Sequence, residues 1–282
     1  MDISRDENER CYDVTVIMPV YNEEGNIRGA IESLLKQTYE NIEILIINDG
    51  SNDRTKDIIN EEYLPNEKIR LHNQKNKGFA KSLNEGLNIA DSEFVARLDA
   101  DDRCKPTRIE KQVKYLRDNE DVGVVGTGYL RIDHIRKEKY SRLYPEKDEE
   151  IRKEMSKYIP IAHSSVMFRR NSVEQVGGYD EELATFGIED IDLWMRIAEN
   201  WKLGNIPEPL VVRHIRGDSY WHRNVNSYNR DFQLSKVCVR AIKKFKLPKY
   251  YYVYPLLRLI YTWFPSSIKK LARNSVSKIK EY

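Results

Sequence analysis

Three aspartates stand within four residues at Asp99, Asp101 and Asp102, directly after the apolar run Phe94–Leu98. Carboxylates this close repel one another unless a proton or a cation lies between them. Hard oxygen ligands suit Mg²⁺ or Mn²⁺, and Mg²⁺ bound to one or two carboxylates commonly completes its shell with phosphate oxygens and water. Taken alone, so short a pattern is also typical of a solvated acidic turn. The cluster is therefore a candidate metal and phosphate site whose meaning depends on its neighbours.

A second acidic group, Glu189, Asp190 and Asp192, lies at the start of a segment (188–199) with helical periodicity. A carboxylate about 3 Å from a hydroxyl can take its proton while the oxygen attacks another centre. Acids at a helix start are also favoured by the helix dipole alone. Glu189 and Asp190 are therefore candidates for a general base, whereas Asp192 can instead cap or pair locally.

The elements that would position these acids alternate between two sequence periods. Apolar β-branched runs predict buried strands, and apolar residues at i, i+3, i+4 and i+7 predict helices. The predicted strands are Val14–Val20, Ile42–Ile47, Ile69–His72 and Phe94–Leu98, and the predicted helices are Ile27–Leu35, Asp53–Tyr63 and Phe79–Ala90. Strands alternating with crossover helices imply a parallel sheet covered on both faces.

Each predicted strand ends in a polar loop. The four loops are Tyr21–Glu24, Asn48–Asp53, Asn73–Gly78 and Asp99–Asp102. Because ligands bind beyond the carboxyl ends of the strands in such sheets, we expect the four loops to meet at one edge.

The second half of the chain has a less regular pattern. Pro106 predicts the start of a helix to about Arg117, because proline suits the first helical turn. The other predicted elements are strands at Val122–Ile132, Ser164–Phe168 and Leu210–Val212, a helix at Ile188–Glu199, and helices from Val225 onward broken at Pro248, Pro255 and Pro265.

The composition excludes several classes of protein. The 282 residues are 40% hydrophobic, which is enough for a core, so wholesale disorder is excluded. Cys11, Cys104 and Cys238 form no CxxC pair or disulfide framework, and a reducing compartment is the simplest interpretation. The polar start MDISRDENER is not expected to be a signal peptide, and no apolar run predicts an ordinary transmembrane helix.

Three further segments accompany the acids. They are Val16–Ile27, Ile46–Thr55 and Asn76–Gly86, and the acceptor-side acids belong to the segment Gly187–Arg196. Together with Asp99–Asp102 this conjunction resembles the family 2 glycosyltransferases, inverting nucleotide-sugar enzymes with a GT-A fold, over about residues 13–215. The resemblance implies an α/β fold with a GT-A-type, mostly parallel sheet flanked by helices, and the sequence pattern from Val225 onward adds a helical C-terminal extension.

The resemblance also implies roles for matching positions. The implied donor-binding residues are Pro19, Val20, Tyr21, Glu23, Asp49, Lys77, Gly78, Asp99 and Ala100. The implied ligands of Mn²⁺ or Mg²⁺ are Asp101, Asp99 and His214, with Asp102 a further candidate. The implied general base is Asp190, with Glu189 the alternative. His163 and Asp192 would lie on the acceptor side, and Arg213, Arg216 and His222 near the leaving diphosphate. Asn48 departs from the pattern, since many relatives have another Asp there.

Some of these residues have plain structural alternatives. Asp49 with Gly50 is also typical of a turn, Gly78 of a helix start, and Lys77 of a solvated surface. A lone histidine is more often a hydrogen-bonded structural group than a ligand, which applies to His163 and His214.

The charge of the chain is divided unevenly along its length. The segment Arg230–Tyr282 has 13 basic and two acidic residues, and the remainder has 34 basic and 43 acidic residues. Within it, the aromatic stretch Tyr250–Phe264 has lysines and arginines on both sides, a pattern typical of an interfacial helix on anionic lipid. A helix packed on the body or in a dimer is the alternative. We therefore divide the chain into a GT-A domain (1–224, with halves 13–104 and 105–224) and a basic amphipathic helical tail (225–282).

These observations predict an inverting, metal-dependent hexosyltransferase. The expected donor is a nucleoside-diphosphate sugar, UDP-linked, and the expected acceptor a saccharide or lipid-linked saccharide in surface polysaccharide or glycan assembly. We expect a cytoplasmic protein, peripheral on the inner face of the cell membrane, and no nucleic-acid partner. A nucleotidyltransferase and a non-catalytic membrane-surface binding protein remain alternatives.

Overall fold

A computed structural model describes residues 12–215 and 227–264 of the chain. In this part of the chain, nine strands form one sheet. They are β1 (Val14–Val20), β2 (Ile42–Asn48), β3 (Ile69–Asn73), β4 (Phe94–Arg97), β5 (Asp102–Cys104), β6 (Val122–Asp133), β7 (Glu138–Arg142), β8 (Met167–Arg169) and β9 (Lys202–Ile215). The strand order is β3-β2-β1-β4-β8-β6-β9-β5, and β7 pairs with β6 at the side of this path.

Ten α-helices accompany the sheet. They are α1 (Ile27–Leu35), α2 (Thr55–Ile58), α3 (Phe79–Ile89), α4 (Arg108–Asp118), α5 (Asp148–Glu154), α6 (Arg170–Glu174), α7 (Glu181–Ala184), α8 (Glu189–Ile197), α9 (Ser227–Lys244) and α10 (Val253–Trp263). A π-helical turn (Ile59–Tyr63) continues α2, and 3₁₀ turns occupy His163–Ser165 and Lys249–Tyr252. All of these counts refer to the two described ranges.

Strands β3, β2, β1 and β4 are parallel, so their carboxyl ends share one edge of the sheet. The register places Val20 beside Asn48 and Asn48 beside Asn73, so the loops that follow these strands start side by side. This parallel half agrees with the prediction from sequence almost residue by residue. The reason is that every residue of β1 is buried, which is what a continuous β-branched run predicts.

The second half of the sheet is mixed. Strand β8 is antiparallel to both β4 and β6, whereas β6 and β9 run parallel. The short strand β5 pairs antiparallel with β9 and opposes Asp102 to Arg213. The predicted α/β fold is therefore confirmed, with one parallel half and one mixed half.

Helices cover both faces of the sheet. On one face, Val16 and Met18 of β1 pack with the buried side of α1, and α4 joins the same cluster through Ile109. On the other face, Ile17 packs in a cluster that contains Leu83 of α3 together with residues of α8 and α9. The alternation along β1 follows from the two-residue period of a strand.

Two strands predicted in the second half have the wrong bounds. The predicted strand Ser164–Phe168 is a 3₁₀ turn followed by β8, and the predicted Leu210–Val212 is only a part of the second half of the 14-residue β9. Pro207 and Pro209 obscured that strand, because proline normally excludes a residue from the interior of a ladder. The register of β9 against β6 shifts there, between Ile206 and Pro209, and a shift of this kind accommodates them.

Pro255 does not break the tail as expected. It is the third residue of α10, where a backbone N–H has no partner within the helix and its absence costs little. Among the described residues, no helix is both long enough and apolar enough to span a bilayer.

Candidate active site

The aspartates that follow β4 form a compact carboxylate cluster. One oxygen from each of Asp99, Asp101 and Asp102 lies within 4.8 Å of the others. The chain turns between them, because the Asp102 N–H donates to the carbonyl oxygen of Asp99 at 3.0 Å. Strand β5 then begins at Asp102 and holds that residue against Arg213 of β9, where the guanidinium Nε lies 3.7 Å from Oδ2.

Burial and mutual repulsion make this cluster hard to ionise without a counter-charge. Burial raises the pKa of Asp101 to about 7, and the neighbouring carboxylates of Asp99 and Glu23 add to the shift. Burial likewise raises the pKa of Asp102 to about 8, with Arg213 opposing the shift. Oδ2 of Asp102 is buried and has no hydrogen-bond partner among the described residues. Such a donor set fits a hard divalent cation, which would replace protons as the neutralising charge.

Arg97, the last residue of β4, links this cluster to Phe79 at the start of α3. Its side chain is 3% exposed, its Nη2 donates to Oδ1 of Asp99, and its guanidinium lies 4.9 Å from the ring centroid of Phe79. The Nε and Nη1 groups of Arg97 are buried and have no hydrogen-bond partner among the described residues. Sequence reasoning missed Arg97, because an arginine in an apolar strand carries no motif of its own.

The acceptor-side acids lie at the start of α8, as predicted. Glu189 is 2% exposed and Asp190 8%. Burial raises the pKa of Glu189 to about 8, and the Asp190 carboxylate adds to that shift. Burial raises the pKa of Asp190 only to about 6, because its carboxylate accepts the Ile191 N–H at 2.7 Å and because Arg230 and Arg97 favour the charged form. Of the two neighbours, the surroundings therefore favour the ionised form more strongly on Asp190 and the protonated form more strongly on Glu189.

His163 and Tyr179 connect the two acid groups. The imidazole Nε2 of His163 lies 2.9 Å from the hydroxyl of Tyr179, and its Nδ1 lies 3.7 Å from Oε1 of Glu189. Its ring packs edge-on against Phe79 at 6.0 Å between centroids. Burial, together with the nearby charges of Arg97 and Arg213, holds the pKa of His163 well below its usual value, so the imidazole is neutral.

These contacts form one continuous path across the molecule. Asp99 contacts Arg97, Arg97 stacks on Phe79, Phe79 packs against His163, and His163 approaches Glu189. The acids that follow β4 and the acids that open α8 therefore belong to one network of contacts, although about 90 residues separate them in the chain.

Asp49 is connected to this network of contacts through the backbone of the loop that precedes α3. Its Oδ1 accepts the Lys77 N–H at 2.8 Å, and its Oδ2 accepts the Gly78 N–H at 2.9 Å. Gly78 has φ +95°, a conformation that other residues rarely adopt, and it immediately precedes Phe79 at the start of α3. Asp49 thus holds the loop that places Phe79 under Arg97, and its predicted contact with the donor remains a prediction.

The other predicted donor residues lie along the same edge. Pro19, Val20 and Ala100 are buried in the framework, whereas Tyr21 is 45% exposed directly after β1. The Glu23 carboxylate lies close enough to raise the pKa of Asp101. The Lys77 ammonium is about half exposed and lies 3.9 Å from Oε2 of Glu85. The contacts of these residues with a nucleotide remain predictions.

Two predicted residues have partners away from the carboxylate cluster. The Nδ1 of His214 lies 3.0 Å from Nε2 of His134, and the two rings stack with centroids 5.3 Å apart. The Asp192 carboxylate accepts from Arg196 and from Arg240, both at 2.8 Å. A metal role for His214 and an acceptor role for Asp192 remain predictions. Arg216 and His222 lie outside the described residues.

Comparison with protein families gives two matches. The model of the family described as "Glycosyl transferase family 2" matches residues 15–177, which is more than half of the chain. A second model, described as "N-terminal domain of galactosyltransferase", matches residues 152–209. The two ranges together include the carboxylate cluster and the acids of α8.

Two curated proteins are similar over most of their length. The putative glycosyltransferase EpsE of Bacillus subtilis (strain 168) is 34% identical over 259 residues, covering 90% of this chain and 91% of EpsE. The amylovoran biosynthesis glycosyltransferase AmsE of Erwinia amylovora is 30% identical over 236 residues, covering 79% of this chain and 86% of AmsE.

Two solved structures have a similar fold at 18% identity. TarS 1–349 of S. aureus in complex with UDP-GlcNAc aligns with a TM-score of 0.64, covering 88% of this chain and 70% of that one. The mannosyltransferase PcManGT of Pyrobaculum calidifontis in complex with GDP-Man and Mn²⁺ aligns with a TM-score of 0.63, covering 96% and 81%. At this identity the likeness concerns the fold alone.

Proposed function

The chain belongs to glycosyltransferase family 2, and on that premise we propose that it transfers a sugar, with inversion, from a UDP-sugar to a hydroxyl group of a saccharide acceptor. The family membership carries the reaction class. The choice of UDP is supported by the TarS complex with UDP-GlcNAc, although PcManGT of the same fold has GDP-Man bound. AmsE, named for amylovoran biosynthesis, supports surface polysaccharide assembly as the setting.

The observation that carries this proposal is the connection of two acid groups by one network of contacts. Asp99, Asp101 and Asp102 supply three carboxylates within 4.8 Å, and Arg97 and His163 connect them with Glu189. A transferase that splits a sugar from a diphosphate needs charge stabilisation on one side and a proton acceptor on the other. The carboxylate cluster would supply the charge stabilisation by holding a cation, and the acids at the start of α8 would supply the proton acceptor.

We assign the carboxylate cluster to the diphosphate side. Asp99 and Asp101, with Asp102 beside them, would hold Mn²⁺ or Mg²⁺, which supplies Lewis-acid stabilisation of the leaving diphosphate. Arg213 would keep Asp102 in place and add positive charge on the same side. Arg97 would hold Asp99 in a fixed orientation.

We assign the start of α8 to the acceptor side. Asp190, the more acidic member of the pair, would accept the proton of the attacking hydroxyl as the new glycosidic bond forms. Glu189, on which the protonated form is favoured more strongly, would donate a hydrogen bond and so relieve the repulsion between the two neighbours. Inversion in one step requires no covalent enzyme intermediate.

A donor panel tests the proposal directly. Purified full-length protein is incubated with UDP-, GDP- and TDP-sugars, with and without Mn²⁺, and the released nucleotide is identified. We expect release of UDP from one UDP-sugar, faster with Mn²⁺. Formation of UTP and sugar 1-phosphate when pyrophosphate is added to a UDP-sugar would instead indicate a nucleotidyltransferase, and tight donor binding without turnover a non-catalytic binding protein.

We also propose that the tail binds an anionic membrane surface. One side of α10 is an exposed apolar stripe at helical spacing: Val253, Leu256, Leu257, Ile260, Trp263 and Phe264. Trp263 is 81% exposed, and exposed lysines precede the helix at positions 243, 246 and 249. Apolar residues beside basic ones favour an interfacial position on anionic lipid. Lys269, Lys270 and Arg273, which were predicted to flank this helix, lie outside the described residues.

Vesicle sedimentation tests the membrane proposal. The variant Leu257→Asp with Ile260→Asp should lose binding to phosphatidylserine vesicles, because it places two charges in the apolar stripe. The matched control, Leu64→Asp with Ile135→Asp, changes two exposed apolar residues elsewhere and should bind as the wild type does. Equal binding by both variants would exclude α10 as the anchor.

A further inference from the structure

The helix α9 runs alongside α8 in the same direction. Arg240 of α9 donates to Asp192 near the start of α8 at 2.8 Å, and Lys244 contacts Glu199 just beyond the end of α8. The two helices are therefore parallel. Because a helix advances by about 1.5 Å per residue, the first turn of α9, ten or more residues before Arg240, lies beyond the start of α8, on the side where Glu189 and Asp190 begin that helix.

The face of α9 that packs on the body has a clear helical period. Leu234, Val237 and Ala241 are buried and belong to the same core cluster as α8. Arg230 precedes Leu234 by four residues, so it extends this buried stripe by one turn toward the start of the helix. It is half-buried, and its charge lies close enough to favour the ionised forms of both Glu189 and Asp190.

We propose that the first turn of α9 completes the acceptor side of the active site and that Arg230 is a positioning residue that acts through the carboxylates of Glu189 and Asp190. The inference rests on the proposed function, in which Asp190 is the general base. It extends that function to a segment that the sequence assigns to a membrane tail.

The surroundings of the two acids explain why a second cation is useful. From β4, Arg97 faces them, but it also contacts Asp99 on the diphosphate side. His163 from the 3₁₀ turn and Tyr179 from the loop between α6 and α7 face them as uncharged groups. From α9, Arg240 pairs with Asp192, and Arg230 supplies a positive charge near Glu189 and Asp190.

The docking of α9 also divides the basic charge of the tail between two uses. Arg240 and Lys244 pair with acids of the body and Arg230 faces the acceptor-side acids. The exposed lysines after them remain for a surface. Removal of α9 should therefore impair chemistry, whereas changes in α10 should impair only membrane binding.

The pH profile of transfer tests the inference. In Arg230→Gln, the acid limb of kcat/KM should move upward by about one pH unit, because a nearby cation no longer favours ionised Asp190. Arg230→Lys should restore most of the wild-type profile. Lys236→Gln, an exposed change on the same helix, should leave the limb in place. An unmoved limb in Arg230→Gln, or an equal movement in Lys236→Gln, would overturn the inference.

A second measurement does not depend on turnover. Carboxyl ¹³C NMR of aspartate-labelled protein follows the titration of Asp190, with the resonance assigned by its loss in Asp190→Asn. The midpoint should rise in Arg230→Gln and in Arg230→Met, the second variant serving if the first does not fold. An unchanged midpoint would refute the role of Arg230. A wild type that transfers no sugar would refute the proposed function and leave this titration valid.

Discussion

At the residue scale, Glu189 and Asp190 show how two adjacent carboxylates take on different characters. Both are buried and Arg97 and Arg230 favour the ionised form of each, yet Asp190 accepts a backbone N–H, whereas Oε2 of Glu189 is buried without a hydrogen-bond partner among the described residues. The environment therefore separates a proton acceptor from a proton carrier. The order of the residues in the sequence could not show which was which.

Asp190→Asn should retain donor binding and lose turnover. The amide keeps the size of the side chain but cannot accept the hydroxyl proton, so kcat should fall by about 10²–10⁴-fold. Initial rates and donor titration are measured on the same preparation. Asp118→Asn, an exposed change in α4, should leave both unchanged. If donor affinity falls along with the rate, Asp190 maintains the structure of the site and is not the base.

The wild-type rate should depend on the protonation of Asp190. Burial raises its pKa to about 6, and a base must be ionised, so kcat/KM should rise with pH through that region and reach a plateau above it. A profile measured from pH 5 to 8 at fixed Mn²⁺ checks this. A rate that falls over the same range would assign the essential group a protonated role.

Individual site residues differed in how far the sequence revealed them. The aspartates and the acids of α8 were found because carboxylate spacing has chemical meaning in one dimension. Arg97 and Tyr179 were missed because their meaning comes from Phe79 and His163, which meet them only in the folded chain. Asp49 was found as a motif residue, but its hydrogen bonds to the Lys77 and Gly78 backbone were not foreseeable.

At the scale of elements, the contact between α8 and α9 depends on one buried carboxylate. Asp192 is 4% exposed and accepts from Arg196 within α8 and from Arg240 of α9. The pair therefore joins the tail's first helix to the body. Leu234 and Val237 bury the apolar face of α9 in the core cluster that also contains residues of α8.

Asp192→Asn should destabilise the protein by about 1–3 kcal/mol, because it leaves two guanidinium groups without a counter-charge. Thermal unfolding measures the loss. Glu174→Gln, which removes the half-exposed partner of Arg170, should cost much less. Comparable losses in the two variants would mean that burial of Asp192 adds nothing to the contact.

The elements were predictable where one local period decides them. The continuous apolar run of β1 and the periodic face of α1 were predicted with their observed bounds. Strand β9 was not, because two prolines interrupt its pattern and its length depends on pairing with β6. Strand β7, which consists entirely of exposed residues, has no apolar signal at all and exists as the partner of β6.

At the scale of the whole molecule, the sheet brings together acids that the chain keeps apart. The parallel half supplies the carboxylate cluster at its carboxyl edge, and the mixed half supplies Arg213 and the helix that carries Asp190. The boundary between the two halves is where we expect a diphosphate, a cation and a hydroxyl to be held at once.

Added Mn²⁺ should stabilise the protein more at pH 8 than at pH 6. In the metal-free fold the pKa values of Asp101 and Asp102 lie near 7 and 8, above those of the unfolded chain. Protonation therefore stabilises the fold at low pH, and this contribution is lost as the pH rises through 7 to 8. A cation replaces the lost protons and at about 100 times its Kd contributes about 2.7 kcal/mol.

Thermal unfolding with and without Mn²⁺ at both pH values measures this difference. Asp101→Asn should lose most of the stabilisation by Mn²⁺. Asp121→Asn, which changes an exposed aspartate that pairs with Lys202, should keep it. An increment that is equal at pH 6 and pH 8 would place the bound cation away from these carboxylates.

The most direct test of the central claim is calorimetric titration of UDP into the full-length protein with and without Mn²⁺. The two acid groups have separate duties in this account, so the wild type and Asp190→Asn should bind UDP tightly only with Mn²⁺, and Asp101→Asn should bind weakly in both conditions. Metal-independent binding by all three proteins, or loss of binding in Asp190→Asn but not in Asp101→Asn, would contradict it.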